Sequence, residues 1–226
     1  VSSQLPIDRP RQIICVGLNY REHAKEAGMD IPSSPVLFAK WPSCLIASGE
    51  PIVIPEESSS IDYEGELGVV IGSRASDVSV EDALSHVAGY LCVNDVTARD
   101  LQAREGQWTR SKSFDTFGPI GPELVPASQV PDPQKLDIRT WVGDTLVQDG
   151  NTADMVFSVA ELVSFISHGI TLEPGDLIAT GTPSGIGSTR TPPTFLRPGD
   201  EVRIEISGIG TISNPVVASA GHSQDD

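Results

Sequence analysis

Short apolar runs rich in β-branched residues recur along the chain, and turn residues close nearly all of them. Such runs are typical of strands. With 18 proline and 21 glycine residues, few helices should extend beyond a few turns. The pattern predicts strands at residues 13–16, 36–39, 52–54, 65–71, 89–93, 138–142, 177–180 and 201–206.

Three stretches have the pattern of a helix instead. Residues 20–27 are short and polar, and residues 79–88 open with a serine cap and two acidic residues in the first turn. Residues 158–168 place apolar side chains at positions i, i+3, i+4 and i+7, with Glu161 in a capping-box position after Ser158. The sequence therefore predicts many short strands and three short helices.

Two long segments, 106–137 and 181–198, have neither pattern. Both are rich in proline, glycine, serine and threonine, which predicts surface loops, and loops this long often bind ligands or act as lids. The length of 226 residues fits one domain. We expect a single domain over residues 1–226, with a core at 11–217, an N-terminal arm at 1–10 and a frayed tail at 218–226.

The net charge of the chain argues against some classes of binding partner. The chain has 31 Asp and Glu against 15 Lys and Arg, which gives a formal net charge of −16. Phosphate backbones and anionic lipids are repelled by such a surface, so we expect no nucleic-acid partner and no membrane partner. An anionic substrate would need a local positive charge. Proteins from high-salt environments are typically this acidic as well. Composition does not distinguish such a protein from an ordinary acidic cytosolic enzyme.

The cysteines and the apolar runs predict a cytoplasmic protein. Cys15 and Cys92 lie within apolar stretches and, with Cys44, form a widely spaced odd set, which is typical of buried free thiols rather than of disulfides or a zinc site. No apolar run approaches the roughly 20 residues of a membrane span. Residues 1–10 lack the basic and apolar regions of a signal peptide.

Glu64 and Glu66 are the strongest candidates for chemistry. On a strand, residues i and i+2 point to one face, so these carboxylates project side by side. Spacing alone favours the solvent face of an edge strand, but residues 69–71 continue it as Val-Val-Ile, apolar on both faces and typical of a buried strand. Buried together, the two carboxylates repel unless a proton or a cation lies between them.

Asp95 is a third carboxylate that could join this pair. It ends another apolar strand, although taken alone it is more typical of a turn or a helix cap. Two glutamates and one aspartate offer three oxygen ligands, which would suit Mg²⁺ or Mn²⁺ ahead of Ca²⁺. Three ligands leave coordination positions for water or a bidentate substrate.

His23 and Glu26 form a candidate general base. At positions i and i+3 of a helix they share a face, so Glu26 can orient and polarise the imidazole near neutral pH. From the residues alone, a solvated polar turn is the favoured alternative, because Arg21, Glu22 and Lys25 beside them are also charged.

Lys112 is a candidate for stabilising negative charge. It is one of four lysines and lies among aromatic residues in a glycine-bounded loop. It could neutralise a substrate carboxylate or a developing enolate. The alternative is a surface lysine whose stem packs on apolar groups.

Three further residues could contact a substrate. Arg99 and Gln102 would face the same way as Asp95 if residues 95–102 form a helical turn. The segment 180–187 offers hydroxyls and backbone amides, among them those of Thr182, but it lacks the Lys-Ser/Thr ending of a P-loop. We therefore reject a nucleotide site there and expect a small carboxylate at most.

Taken together, these segments resemble the fumarylacetoacetate hydrolase family. The resemblance runs from about residue 13 to residue 217, in the order of the family's own motifs. Any one motif is weak, but six in register are specific for the family. They are VGLNYREH (16–23), PVLFAK (35–40), YEGELGVVIG (63–72), NDVTARDLQ (94–102), KSFDTFGP (112–119) and PGDLIATGTP (174–183).

The resemblance implies a fold and a set of roles. The fold is α+β and β-rich, a mixed β-roll or sandwich like the C-terminal domain of the family, with few short helices, and usually a homodimer. A divalent metal would lie on Glu64, Glu66 and Asp95. The chain looks closer to the shorter, three-carboxylate branch of the family, which uses Mg²⁺. The pair His23 and Glu26 would activate water on a lid segment. Lys112 would lie beside the metal, and the substrate-side positions would be Arg99, Gln102 and Thr182.

The resemblance also implies a reaction on a small anionic 2-oxo acid. Our leading hypothesis is a metal-dependent hydrolase that cleaves a C–C bond in 2,4-dioxo acids of the acylpyruvate type through a metal-stabilised pyruvate enolate. The alternatives within enzymes are an oxaloacetate-type decarboxylase or a 2-hydroxyhepta-2,4-diene-1,7-dioate isomerase. Outside enzymes, the alternative is a metal-binding or ligand-binding module, which would need neither His23 nor Glu26.

Overall fold

The computed structural model describes residues 4–220. The first three residues of the expected N-terminal arm, and residues 221–226 of the expected tail, lie outside the described residues. The predicted core, 11–217, holds nearly all of the fourteen strands of the described residues, and many of these strands pair with partners distant in the chain. Ala218 is the last residue of the final strand.

Seven strands form the larger of two mixed sheets. In spatial order the strands are β2 (Val36–Lys40), β1 (Ile13–Gly17), β12 (Leu177–Ala179), β6 (Gly65–Ile71), β7 (Val87–Asn94), β9 (Gly118–Pro126) and β3 (Leu45–Ala47). β1 pairs in parallel with β12, and β3 in parallel with β9, whereas the other neighbours are antiparallel.

Five strands form the second sheet, which packs against the first. In spatial order the second sheet is β11 (Thr145–Asn151), β10 (Asp137–Val142), β13 (Glu201–Ile206), β14 (Gly210–Ala218) and β4 (Ile52–Ile54). β10 contacts β6, and both β13 and β14 contact β7. A short antiparallel ladder joins β5 (Ile61–Asp62) to β8 (Thr97–Ala98). The core therefore lies between layers of sheet, as expected for a β-rich α+β fold, and the predicted fold class is confirmed.

Strand β6 lies in the middle of the larger sheet. It is paired on both sides, by β12 and β7, and all seven of its residues are buried. A strand covered on both faces needs apolar side chains on both faces, which explains the run Val69-Val70-Ile71. The alternative of an exposed edge strand for Glu64 and Glu66 therefore does not apply.

The helices are short and lie in the segments that connect the strands. They are α1 (Arg21–Glu26), α2 (Val80–Ala83), α3 (Arg99–Glu105), α4 (Trp108–Ser111) and α5 (Val159–Ser167). Single 3₁₀ turns occur at Pro42–Cys44, Leu84–His86, Ala127–Gln129, Thr152–Asp154 and Gly187–Thr189. The capping box predicted for the last helix is present, because the Ser158 and Glu161 side chains each bond the other's backbone N–H.

The second predicted helix is shorter than the sequence pattern indicates. We expected a helix over residues 79–88, but α2 ends at Ala83, a 3₁₀ turn follows, and Val87 already begins β7. The pairing of β7 with β6 takes the last residues of the pattern into the sheet, so tertiary contacts override the local helical signal.

The three cysteines are buried and free, as predicted. Among the described residues, no helix has both the length and the apolar character needed to cross a bilayer.

Candidate active site

The fold brings the three predicted metal ligands together. Glu64 lies just before β6, Glu66 lies within it, and Asp95 follows β7 directly. Because β6 and β7 are antiparallel, with Gly65 opposite Asn94, the start of one strand meets the end of the other. The Asp95 amide donates to the Glu64 carbonyl at 2.9 Å, which closes the pair of strand ends. One carboxylate oxygen from each of the three acids lies within 4.8 Å of the others.

Lys112 and Arg99 both contact the triad. The Nζ of Lys112 lies 2.9 Å from Oε2 of Glu64 and 2.7 Å from Oδ2 of Asp95. Arg99 donates to the other oxygen of Glu64, and its Nε donates to Asp62 at 2.9 Å. Lys112 is therefore a buried lysine inside the acidic cluster, and the alternative of a surface lysine does not apply.

Glu64 and Glu66 have opposite electrostatic environments. Burial alone would raise the pKa of Glu64, but the charges of Lys112 and Arg99 outweigh it and lower this pKa to about 2. Burial also raises the pKa of Glu66, and the negative charges of Asp95 and Glu64 raise it further. Glu66 thus lies in a position where a neighbouring cation would favour its ionised form.

The donor set fits a hard divalent cation. Glu66 accepts one hydrogen bond, from the Gly181 amide at 2.9 Å, and none of the described lysines or arginines forms an ion pair with it. Three buried carboxylates with one of them uncompensated suit an ion that prefers oxygen ligands, such as Mg²⁺ or Mn²⁺. Glu64, Glu66 and Asp95 are the residues that would hold it.

Lys40 is a residue of this cluster that sequence reasoning did not assign. Its Nζ donates to Oδ1 of Asp95 at 2.7 Å and to the Val96 carbonyl at 3.3 Å, and it also contacts the Lys112 carbonyl. Asp95 therefore has one lysine on each carboxylate oxygen. The signal available in the sequence was a scarce lysine at the end of an apolar strand, but nothing in the spacing links it to Asp95.

His23 and Glu26 lie together on α1. Nδ1 of His23 is 3.5 Å from Oε2 of Glu26, and the imidazole is largely buried. Both oxygens of Glu26 also accept from the Gly185 amide, at 3.0 and 3.1 Å. The pair is therefore ordered against another loop, and a freely solvated turn does not describe it.

A cavity of about 330 Å³ connects these groups. Glu64, Glu66, Lys112 and His23 line it, whereas Asp95 is completely buried and does not line it. Apolar side chains also line the cavity, namely Val16, Leu18, Met29, Phe38, Trp108 and Ile186. The cavity can thus accept a molecule with an anionic head and an uncharged remainder.

The rings of Phe38 and Trp108 pack against each other within the apolar lining of the cavity. They meet edge to face with centroids 5.3 Å apart, and the Lys112 ammonium lies 5.0 Å from the Phe38 ring centroid. A β-carbon at Gly17 would lie 2.7 Å from the Trp108 ring, so the absence of a side chain at this position allows Trp108 to pack against β1.

The three predicted substrate-side residues also line this cavity. The sequence allows a helical turn over residues 95–102. The helix α3 begins only at Arg99, however, so Asp95 does not share a helical turn with Arg99 and Gln102. Arg99 nevertheless bonds Gln102 at 3.1 Å. Thr182 is fixed by Gln148, whose amide donates to it at 2.8 Å, and it donates to the Gly65 carbonyl at 3.0 Å.

The chain matches a protein-family model and is similar in sequence to several known proteins. Residues 12–217 match the family model described as fumarylacetoacetate (FAA) hydrolase C-terminal. The chain is similar to the oxaloacetate tautomerase YisK of Bacillus subtilis, 50% identical over 220 residues that cover 96% of this chain and 73% of the relative. It is also similar to the mitochondrial oxaloacetate tautomerase fahd2 of Xenopus laevis, 46% identical over 96% of this chain and 69% of the relative.

Solved structures agree with the sequence relatives. A fumarylacetoacetate hydrolase from Exiguobacterium antarcticum superposes with a TM-score of 0.89 at 43% identity, over 95% of this chain and 77% of the other. A 2-hydroxyhepta-2,4-diene-1,7-dioate isomerase from Mycobacterium marinum superposes with a TM-score of 0.84 at 40% identity, over 96% of this chain and 77% of the other.

Proposed function

We propose that this chain, which belongs to the fumarylacetoacetate hydrolase family, is a divalent-cation-dependent enzyme that stabilises the enolate of a small 2-oxo acid. One observation carries the proposal. The buried acids Glu64, Glu66 and Asp95 converge beside the Lys112 ammonium, and Glu64, Glu66 and Lys112 line the same cavity as His23. The relatives with oxaloacetate tautomerase and isomerase names support an enzyme of this kind.

Each residue has a defined part in that chemistry. A divalent cation bound to the triad would supply a Lewis acid for the 2-oxo carboxylate. Lys112 contributes a fixed positive charge where negative charge develops on the substrate oxygen. His23, held by Glu26, removes or returns the proton at the carbon next to the carbonyl. Arg99, Gln102 and Thr182 would position the substrate head.

The first candidate reaction is keto–enol tautomerisation of oxaloacetate. His23 would take a proton from C3, the C–H electron pair would form the C2–C3 double bond, and the carbonyl oxygen would gain a proton to give the enol. The reverse direction returns the proton to C3. The two relatives named oxaloacetate tautomerases, at 46% and 50% identity, support this assignment.

The test follows enol–keto conversion of oxaloacetate spectroscopically with Mg²⁺ and with EDTA. We expect turnover with Mg²⁺ and its loss in EDTA. His23→Ala should lower turnover by about 10²–10⁴-fold, the usual contribution of a general base, while calorimetry shows Mg²⁺ binding unchanged. His86→Ala, on the 3₁₀ turn outside the cavity, is the matched control. Near-full turnover in His23→Ala would remove His23 from the reaction, and turnover indifferent to EDTA would remove the cation.

The second candidate is hydrolysis of a C–C bond in acylpyruvates. The apolar side chains of Phe38, Trp108 and Met29, which line the cavity together with the acidic groups, favour a substrate that has an uncharged acyl group at its distal end. His23 with Glu26 would take a proton from water, whose oxygen adds to the distal carbonyl. Cleavage then releases a carboxylic acid and the enolate of pyruvate, which is protonated at C3.

One substrate panel separates these reactions. Acetylpyruvate tests hydrolysis, which releases acetate and pyruvate. Oxaloacetate tests tautomerisation, and release of CO₂ from it tests decarboxylation. A C7 dienedioate tests isomerisation. Each is run with Mg²⁺ and with EDTA. Conversion of none of them would favour the alternative of a metal-binding or ligand-binding module.

Three further assignments stay predictions. Mg²⁺ is the expected ion, and metal analysis of the purified protein tests it. A homodimer is the expected assembly, and light scattering of the protein in solution tests it. A cytoplasmic location is expected from the sequence, and cell fractionation tests it.

A further inference from the structure

Glu26 is held by more than His23. Its two carboxylate oxygens share the N–H of Gly185, at 3.0 and 3.1 Å. Gly185 belongs to the long loop that follows β12, far from α1 in the chain. The position of Glu26 relative to the imidazole therefore depends on where that loop places residue 185.

Tyr63 and Arg190 fix Gly185 from the opposite side. The carbonyl of Gly185 accepts from the Tyr63 hydroxyl at 3.0 Å and from Nη2 of Arg190 at 3.3 Å. Arg190 also donates through Nε to the Tyr63 oxygen at 3.2 Å and through Nη2 to the Val147 carbonyl at 2.7 Å. A single guanidinium thus joins Tyr63, Gly185 and β11.

Gly185 itself is fitted closely into this position. Its φ of +103° favours glycine, and a β-carbon there would lie 2.1 Å from the Val147 carbonyl oxygen. The residue therefore has little room to shift without breaking the bonds to Tyr63 and Arg190.

The same loop is attached to the segment that precedes the metal ligand Glu64. The amides of Gly187 and Ser188 donate to Asp62 at 2.8 and 3.0 Å, and Tyr63 is the next residue. Among the described residues, Arg190 has no ion-pair partner, so its charge is directed to the Tyr63 oxygen and two backbone carbonyls. A continuous set of contacts therefore leads from Glu64 through Tyr63 and Gly185 to Glu26.

We propose that Tyr63 and Arg190 are positioning residues that hold Gly185 so that its N–H keeps the Glu26 carboxylate against His23. The inference rests on the proposed function, because it takes His23 and Glu26 as the proton-transfer pair. Neither Tyr63 nor Arg190 needs to touch the substrate for this role. Their effect passes to the reaction through Gly185 and Glu26.

The test is a double-mutant cycle on turnover. Tyr63→Phe removes the hydroxyl and keeps the ring, and it should lower kcat by about tenfold, the equivalent of one well-placed hydrogen bond. KM and the Mg²⁺ dissociation constant should stay within about twofold, because the triad and the substrate-side residues are untouched. In a Glu26→Ala background, Tyr63→Phe should cause no further loss, since the carboxylate that Gly185 positions is gone.

Arg190 provides a second, independent arm. Arg190→Met should lower kcat like Tyr63→Phe, and Arg190→Lys, which retains a charged donor, should recover part of the loss. Tyr90→Phe is the matched control, because Tyr90 is a buried tyrosine of β7 that does not line the cavity, and its kcat should equal that of the parent. Melting temperatures identify any variant that fails to fold, and the other arm then decides.

The outcomes separate the two proposals. If His23→Ala and Glu26→Ala leave turnover intact, the proton-transfer pair of the proposed function is wrong. If those variants lose turnover but Tyr63→Phe and Arg190→Met do not, the positioning role is wrong. An equal loss from Tyr63→Phe with and without Glu26 would also overturn it, because the hydroxyl would then act independently of the carboxylate.

Discussion

Glu66 is the triad residue whose charge is least compensated. Asp95 has Lys40 and Lys112 on its two oxygens, and Glu64 has Lys112 and Arg99. Among the described residues, Glu66 has only the Gly181 N–H as a partner, and its pKa is raised by burial and then by Asp95 and Glu64. The metal-free protein therefore binds a proton at Glu66 more tightly when folded than when unfolded.

This difference predicts a pH dependence of stability in EDTA. Because the folded state binds the extra proton, stability falls as pH rises above the ordinary carboxyl range toward the raised pKa of Glu66. Glu64, with a pKa of about 2, contributes a constant term there, since both its folded and unfolded forms are ionised. We expect the melting temperature in EDTA to fall as the pH rises above about 5, and Mg²⁺ to stabilise the protein more at the higher pH.

Glu66→Gln is the control for that measurement. The amide keeps the size of the side chain but does not titrate, so the fall in melting temperature should flatten, and the Mg²⁺ effect should shrink. A parent protein whose stability in EDTA is level across this range would contradict the raised pKa of Glu66.

Lys40 supports a second prediction at the scale of single residues. It is buried and bonds Oδ1 of Asp95, so Lys40→Met leaves that oxygen buried without a cation. We expect a loss of about 3 kcal/mol in the free energy of unfolding, the lower end for a broken buried pair because Lys112 remains. Urea denaturation in EDTA measures it. Lys25→Met, which removes an exposed lysine paired with Glu22, should change little, and equal losses in the two variants would contradict the role of Lys40.

The extent to which the site could be predicted depends on the kind of signal each residue gives. Glu64 and Glu66 are two apart on a strand whose apolar continuation shows burial, so their shared direction follows from local geometry. Lys40 and Tyr63 act through contacts that span 55 and 122 residues, with Asp95 and Gly185 respectively. No local periodicity carries such information, which is why sequence reasoning assigned neither of them a role.

Among the elements, several apolar strands rich in β-branched residues were predicted correctly, whereas polar strands and strands interrupted by proline were not. The predicted bounds 52–54, 65–71 and 201–206 coincide with β4, β6 and β13. The strand β11, with the sequence TLVQDGN, was missed because its pattern is polar and its order comes from pairing with β10. The strand β9, inside the predicted loop 106–137, was missed because three prolines interrupt it.

The capping box of α5 gives a prediction at the scale of an element. Ser158 Oγ accepts from the Glu161 amide at 3.3 Å, and Glu161 accepts from the Ser158 amide at 2.7 Å. Ser158→Ala should lower the free energy of unfolding by about 1 kcal/mol, because an N-terminal amide of the helix loses its partner. Chemical denaturation measures it, and turnover should not change because α5 lies away from the cavity.

The control for that prediction is Ser34→Ala. Ser34 is an exposed serine outside every helix, and its substitution should stay within about 0.5 kcal/mol of the parent. An equal effect of the two serine substitutions would show that the cap contributes nothing specific to α5.

At the scale of the whole molecule, an acidic protein is proposed to bind an acid. The net charge of −16 repels anions at long range. The site itself also carries more carboxylates than cations, since Asp62, Glu64, Glu66 and Asp95 face Lys40, Lys112 and Arg99. A divalent cation on the triad would reverse this local balance, so attraction of a 2-oxo acid should depend on the ion and act only at short range.

Metal removal should therefore weaken anion binding as well as abolish turnover. We expect oxamate, a non-reacting analogue of a 2-oxo acid, to bind in the presence of Mg²⁺ and to bind at least about a hundredfold more weakly in EDTA, because a charge pair a few ångströms apart contributes a few kcal/mol in a partly buried site. Calorimetric titration measures both affinities. Sodium chloride, which screens charges beyond about 10 Å at 0.1 M, should change the affinity far less than EDTA does, because the attraction comes from adjacent groups. Equal oxamate affinity with and without Mg²⁺ would mean that the lysines and Arg99 alone bind the anion, and the triad would then have no part in substrate recognition.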